Sequence, residues 1–225
     1  MAKKNKSIDN LQINIQEESS WRKKELSVFK SQLLSAKGPA QIALLRAGIP
    51  LLYAHWEGYI KAVSYSFINF VSLRKLPNNE LNYNFLLLSI ESRLSSFSQK
   101  NYNSRITALK EILENFNSRS SIPTGYDVYT KSNLNFERFR EILFLLGIND
   151  SEFKLNEQLI DEMLLKKRNH IAHGEYITAD IEEFKTIYDK IIIVIDLLSN
   201  KILENAENKS YMIKDEICTK FITNQ

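Results

Sequence analysis

Residues 166 to 176 read KKRNHIAHGEY and hold two of the chain's three histidines. An imidazole titrates near neutral pH, so it can take or give a proton under physiological conditions. A guanidinium keeps its charge and presents a flat fork of donors that fits phosphate oxygens. Arg168 and His173 together therefore offer a proton carrier and a fixed positive charge, the pair that acid–base chemistry at a phosphate requires. Asn169 can orient the imidazole or bind the phosphate, His170 can serve as a second acid/base or phosphate contact, and Lys166 adds charge beside them.

Apolar residues at helical spacing predict one helix over about Asn156 to His173. At about 100° per residue, with Asn169 at zero, Glu162 falls at about 20°, His173 at about 40°, Lys166 at about 60° and His170 at about 100°. Ile160, Leu164 and Ile171 gather at about 200° on the opposite side. The histidines thus belong to the polar face, and His173 is not expected in the core. Arg168 falls at about 260°, on the flank, so it does not stack on His173 along a straight helix. Either the helix end distorts near Gly174, or a second copy of the chain brings its own pair across a two-fold axis. Asn169 and His173 are four apart and can touch directly.

Simpler readings compete. Positive groups before a glycine complement the dipole at a helix C-terminus, and Gly174 is a natural stop. His170 and His173, three apart, could share a metal with Glu162, but the chain has one cysteine, Cys218, and no second histidine cluster to complete the shell. No metal and no cofactor is expected. The third histidine, His55, lies in YAHWEGYIK; it reads as a core histidine with one hydrogen-bond partner, or as part of a cleft in which His55 or Glu57 supports the motif. Glu57 and Lys61 are i, i+4 and are expected to pair.

The elements that must position these residues are helices. With 6 glycines and 4 prolines in 225 residues, turn-rich β folds are disfavoured. We expect a helix over about Ser7 to Ala36, ended by KGP, and a second over about Ala40 to Arg74 with a kink or break at Pro50. Shorter helices are expected near Phe85 to Gln99, Ser104 to Asn117 and Phe136 to Leu146, and a long one over about Asp180 to Asn205. Asp180 and Glu183 have capping-box spacing. SRSSIPTGYDVYTKSN, residues 118 to 133, is expected to be a surface loop. The basic clusters Lys3 to Lys6 and Arg22 to Lys24 read as solvated helix faces. With no linker or repeat in view, the expectation is one all-α domain over 1–225, a bundle of about six to eight helices with its core at about 8–205 and a C-terminal extension at 206–225.

Composition bounds the function. Apolar residues make up 44%, charged residues 25%, and the net charge is +3, an ordinary composition compatible with a polyanionic partner. No Gly-rich phosphate loop, His-Glu-x-x-His pair or Gly-x-Ser-x-Gly elbow is present. The basic start is not followed by an apolar signal core, and YDKIIIVIDLLSNKIL is too short and too charged to span a bilayer. A single cysteine fits a reducing compartment. The expectation is a cytoplasmic protein without a membrane partner.

RNHIAHG resembles the signature of the HEPN superfamily, all-α domains with an Arg-x(4–6)-His motif near the end of a late helix. The matching positions are Arg168, Asn169, His173 and Gly174. LLYAHWEGYIKAV, residues 51 to 63, is similar to the aromatic helix of the MAE-type bacterial HEPN proteins of mobile-element and defence loci. The resemblance would cover about residues 8 to 205. It implies a metal-independent endoribonuclease of toxin or antiphage type, a homodimer joined through the motif helix, whose Arg and His form a composite site. It also implies RNA as substrate, cut by its own 2′-hydroxyl to leave a 2′,3′-cyclic phosphate, and an antitoxin or defence-system partner protein. The same superfamily includes non-catalytic modules that bind a nucleotide or a partner protein. In HEPN toxins modified by a nucleotidyltransferase, a tyrosine stands two residues after the histidine; here Tyr176 stands three after His173, which argues against that regulation.

Overall fold

The computed structural model describes residues 7–98, 101–126, 128, 130, 133–176 and 180–213. Lys3 to Lys6, Cys218 and the end of the C-terminal extension lie outside them. The first helix, α1 (Ile8–Ser35), opens at Ser7, whose hydroxyl accepts the Asn10 N–H at 3.1 Å and so satisfies one orphan donor of the first turn. α2 (Gly38–Ser72) has Pro39 in its first turn, where a missing N–H costs nothing. It stays helical through Pro50, so no break forms there. Ala43, Ala47 and Ala54 aside, its middle and end bury large side chains, Trp56, Tyr59, Phe67 and Phe70 among them.

α2 packs against both α1 and the last helix, α7 (Ile181–Glu207), which also pack on each other. Leu11, Ile15, Leu26 and Leu33 of α1 and Ile187, Ile191, Val194, Leu198 and Ile202 of α7 are buried at spacings of three, four and sums of these, the stripe an amphipathic helix needs. Gly48 permits the close approach: a Cβ there would stand 2.6 Å from the Phe184 ring and 2.8 Å from that of Phe29. Ion pairs Lys30–Asp189 (2.9 Å) and Lys23–Asp196 join α1 to α7 at the rim. α3 (Tyr83–Leu94), α4 (Tyr102–Glu114) and α5 (Phe136–Leu145) complete the bundle, with Phe139 edge-on to both Trp56 (4.8 Å) and Phe153 (5.3 Å). Among the described residues there are seven α-helices and no β-strand, which is the all-α class expected.

Two expectations need correction. Arg22 is 7% exposed, so the 22–24 cluster is not simply a solvated face; its guanidinium lies over the Trp21 ring at 4.3 Å and pairs with Glu18. An aromatic wall and an i, i+4 carboxylate let the charge leave bulk water. The described residues of 118–133 are not a free surface loop. Ser120, Ile122, Val128 and Thr130 are buried, the Ser72 hydroxyl donates to the Ile122 carbonyl (2.7 Å), and the Ser120 N–H donates to that of Leu76 (2.8 Å). These bonds tie the ends of described stretches to the body.

Candidate functional site

The motif does not sit on one uniform α-helix. Leu159–Lys166 forms a π-helix that runs directly into α6 (Lys167–Ala172). The π-segment buries Leu159, Ile160, Leu164 and Leu165 against the core. Widened turns of this kind are rare and concentrate at functional sites. The Asp161 carboxylate accepts the Phe136 N–H at 2.7 Å, capping α5 from here; burial holds that carboxyl above its usual range.

α6 ends where the glycine is. Gly174 has φ +82, its N–H donates to the Ile171 carbonyl (3.1 Å), and the Glu175 N–H donates to that of His170 (3.0 Å). This double bond pattern is a Schellman turn, and it requires the left-handed conformation that glycine adopts freely. The turn folds Glu175 back, so its carboxylate meets His170 Nδ1 at 2.7 Å. The helix-end reading of the cluster is thus part of the truth: the stop is real, and it organises one of the two histidines.

The neighbouring basic side chains mostly lie against carboxylates. Lys166 pairs with Glu162 (2.8 Å), Lys167 with Glu183, and His170 with Glu175. Arg168 differs. Its Nη1 donates to the side-chain carbonyls of Asn133 (3.0 Å) and Asn169 (2.7 Å), and its guanidinium lies over the Tyr53 ring, 4.5 Å from the centroid. Among the described residues these partners are all neutral, so the positive charge is held in place but not cancelled. His173, the C-cap residue of α6, is exposed.

Arg168 and His173 are not joined by a hydrogen bond. One faces α2, the other faces out, as the wheel requires of residues about 140° apart. No side-chain hydrogen bond joins Asn169 to the His173 imidazole. Only the backbone His173 N–H to Asn169 carbonyl bond links them (3.0 Å), while the Asn169 side chain takes Arg168 instead.

Behind Arg168 stands a network on α2. The Tyr53 hydroxyl accepts the Leu134 N–H at 2.6 Å, and burial, first of all, pushes the Tyr53 phenol up to about 12. One turn on, Glu57 accepts from the Thr130 hydroxyl (2.5 Å) and pairs with Lys61 (2.9 Å). Burial pushes the Glu57 carboxyl up, but the bonds from Thr130 and Lys61 outweigh it and hold it below the usual value. His55 lies on the other side of α2. It is 5% exposed, its ring is 5.3 Å from that of Trp21, and its Nε2 is 3.4 Å from Glu25 of α1. Burial lowers its pKa against the opposing pull of Glu25. His55 is therefore the core histidine of the two readings, and Glu57 stands with Tyr53 on the motif side.

Sequence reading missed Tyr53, Asn133 and Thr130. Tyr53 and Glu57 are i, i+4, so Tyr53 was visible as the residue sharing Glu57's face. Asn133 carried no local signal, since its partner is 35 residues away. Among the described residues no group of three or more His, Cys, Asp or Glu stands together to hold a metal, and no helix is long and apolar enough to cross a membrane.

An all-α bundle that ends a late helix in Arg168-Asn169-x3-His173-Gly174 is the arrangement a HEPN domain has. A model of the RiboL-PSP-HEPN family matches residues 17–204. The chain belongs to that family. The match runs from within α1 to within α7, so every residue of this HEPN motif and its α2 support falls inside it. No curated protein and no solved structure matches the chain.

Proposed function

We propose that this HEPN protein is a metal-independent endoribonuclease of toxin or antiphage-defence type. The observation that carries the reading is Arg168: a cation fixed by a ring and two amides, with no carboxylate among its described partners, five residues before an exposed histidine. A positive charge held rigid and left uncancelled binds a phosphate without first breaking an ion pair.

The substrate's 2′-hydroxyl attacks the adjacent phosphorus, the P–O5′ bond breaks, and a 2′,3′-cyclic phosphate and a 5′-hydroxyl result. His173 moves the proton of the attacking or leaving oxygen, and Arg168 stabilises the charge that grows on the non-bridging oxygens. Asn169 acts through Arg168, which it holds. Since Arg168 and His173 diverge within one chain, a second copy completes the site: the motif helices of two protomers meet and each His173 works opposite its partner's arginine. His170 and Lys166, already matched with carboxylates, support the field instead of the chemistry, and Glu57 braces the α2 side. The likeness of residues 51 to 63 to MAE-type proteins favours a defence locus and a cytoplasmic home, with an antitoxin or defence-system protein as partner and the whole chain acting as one domain.

The test is the product. Purified chain incubated with single-stranded RNA in EDTA is expected to leave 2′,3′-cyclic phosphate ends, and a 2′-deoxy substitution at the cut site is expected to block that cut. Cleavage of the 2′-deoxy oligonucleotide at the same position, or none without added metal, would overturn the mechanism. A non-catalytic adaptor would bind its partner and cut neither.

A further inference from the structure

We infer that the groove between the start of α2 and the end of the motif helix is a nucleobase subsite, with Tyr176 as its stacking surface and Arg46 as its cationic wall. This rests on the ribonuclease reading and adds to it where the base beside the cut phosphate lies. The groove holds about 550 Å³ and is lined by Ile42, Arg46 and Ala47 of α2 with Ile171 and Tyr176 of the motif segment. The groove is open to solvent on one side, so a flat ring can lie along it.

The fold builds this groove. α6 and α2 run antiparallel at their contact, since Arg168 meets Tyr53 while Ile171 and Tyr176 meet residues 39 to 47. The left-handed Gly174 turns the chain so that Tyr176 comes back against α2. Arg46 Nη2 donates to the Glu175 carbonyl at 3.0 Å, and its guanidinium lies over the Tyr176 ring, 5.2 Å from the centroid. The one acid on this turn, Glu175, has its carboxylate on His170 Nδ1 and does not line the groove.

Tyr176 is nonetheless 76% exposed. A flat ring held at one edge of an apolar groove, beside an arginine and three residues after His173, suits a stacked base whose phosphate reaches the motif. Exposed bases of single-stranded RNA are commonly bound on aromatic rings and guanidinium planes. Stacking needs only the π-face, so the subsite accepts any base and prefers purines by their larger overlap.

The experiment uses the full chain carrying His173→Ala, so that RNA is bound and not consumed, and fluorescein-labelled single-stranded RNA read by anisotropy. Tyr176→Ala in that background is expected to weaken binding about tenfold, while Tyr176→Phe and Tyr176→Trp keep it. An oligonucleotide with abasic sites in place of its bases is expected to bind weakly and to be indifferent to Tyr176→Ala. Unchanged affinity on Tyr176→Ala would overturn the subsite, as would a loss of self-association with RNA affinity intact, which would give the groove to a second copy. The two readings fail separately. Tyr176-dependent binding with no cleavage by the unmutated chain sinks the ribonuclease and keeps the subsite; cleavage with Tyr176-independent binding does the reverse.

Discussion

Arg168 lies over the ring of Tyr53, 4.5 Å from its centroid, and the Tyr53 hydroxyl in turn accepts the Leu134 N–H. One side chain thus does separable jobs: its ring seats the guanidinium, and its hydroxyl satisfies a buried backbone donor and bonds the Glu57 carboxylate. Tyr53→Phe keeps the seat and orphans the donor, so it is expected to cost about 1–3 kcal/mol of stability while cleavage stays within about twofold. Tyr53→Leu also removes the ring face, and cleavage is expected to fall by about tenfold more than stability alone accounts for. Urea midpoints beside single-turnover cleavage rates separate the two effects.

Gly174 carries no packing role, because a Cβ there would meet nothing within 4 Å. Its φ of +82 is the whole of its reason. Gly174→Ala is expected to destabilise by about 1 kcal/mol through backbone strain, and Gly174→Asn by less. Thermal melts of the two variants check the order.

Burial lowers the His55 pKa below 6.5 in the folded chain. Below pH 6.5 the unfolded chain therefore binds the proton more readily than the folded one, and stability falls as pH drops from about 6.5 through the folded-state value. Glu57, also lowered, contributes stability that is lost only when pH falls below its ordinary 4.5. His55→Gln is expected to flatten the stability profile between pH 7 and 5 and to leave the acid limb below pH 4.5 in place. Urea unfolding across that range reads both windows.

Since Arg168 and His173 diverge within a chain, activity per chain is expected to rise with protein concentration and then level off as the dimer saturates. Sedimentation and initial cleavage rates measured over the same dilution series are expected to share one midpoint. Activity per chain that stays flat while sedimentation shows dissociation would mean one chain suffices.

How far the sequence led differs from place to place. The long helices were legible because Leu11, Ile15, Leu26 and Leu33, or Ile187, Ile191, Val194 and Leu198, recur at the period of an α-helix, and Gly174 announced its turn. The wheel rightly turned His173 outward and away from Arg168. It left Asn169 free to reach His173, but the adjacent Arg168 guanidinium takes the Asn169 amide oxygen. It also assumed one helical period across Leu159–Lys166, where the π-helix keeps another. Thr130 and Asn133 reach the site through contacts distant in sequence, which no local pattern encodes.

The most direct measurement is single-turnover cleavage of a single-stranded RNA in EDTA by the wild-type chain, Arg168→Ala and His173→Ala, each checked for folding by circular dichroism. His173 is exposed and makes no side-chain bond to a described residue, so its removal leaves the fold intact. We predict cleavage by the wild type and a loss of about a hundredfold or more in each variant. Equal cleavage by all three folded chains would contradict the account.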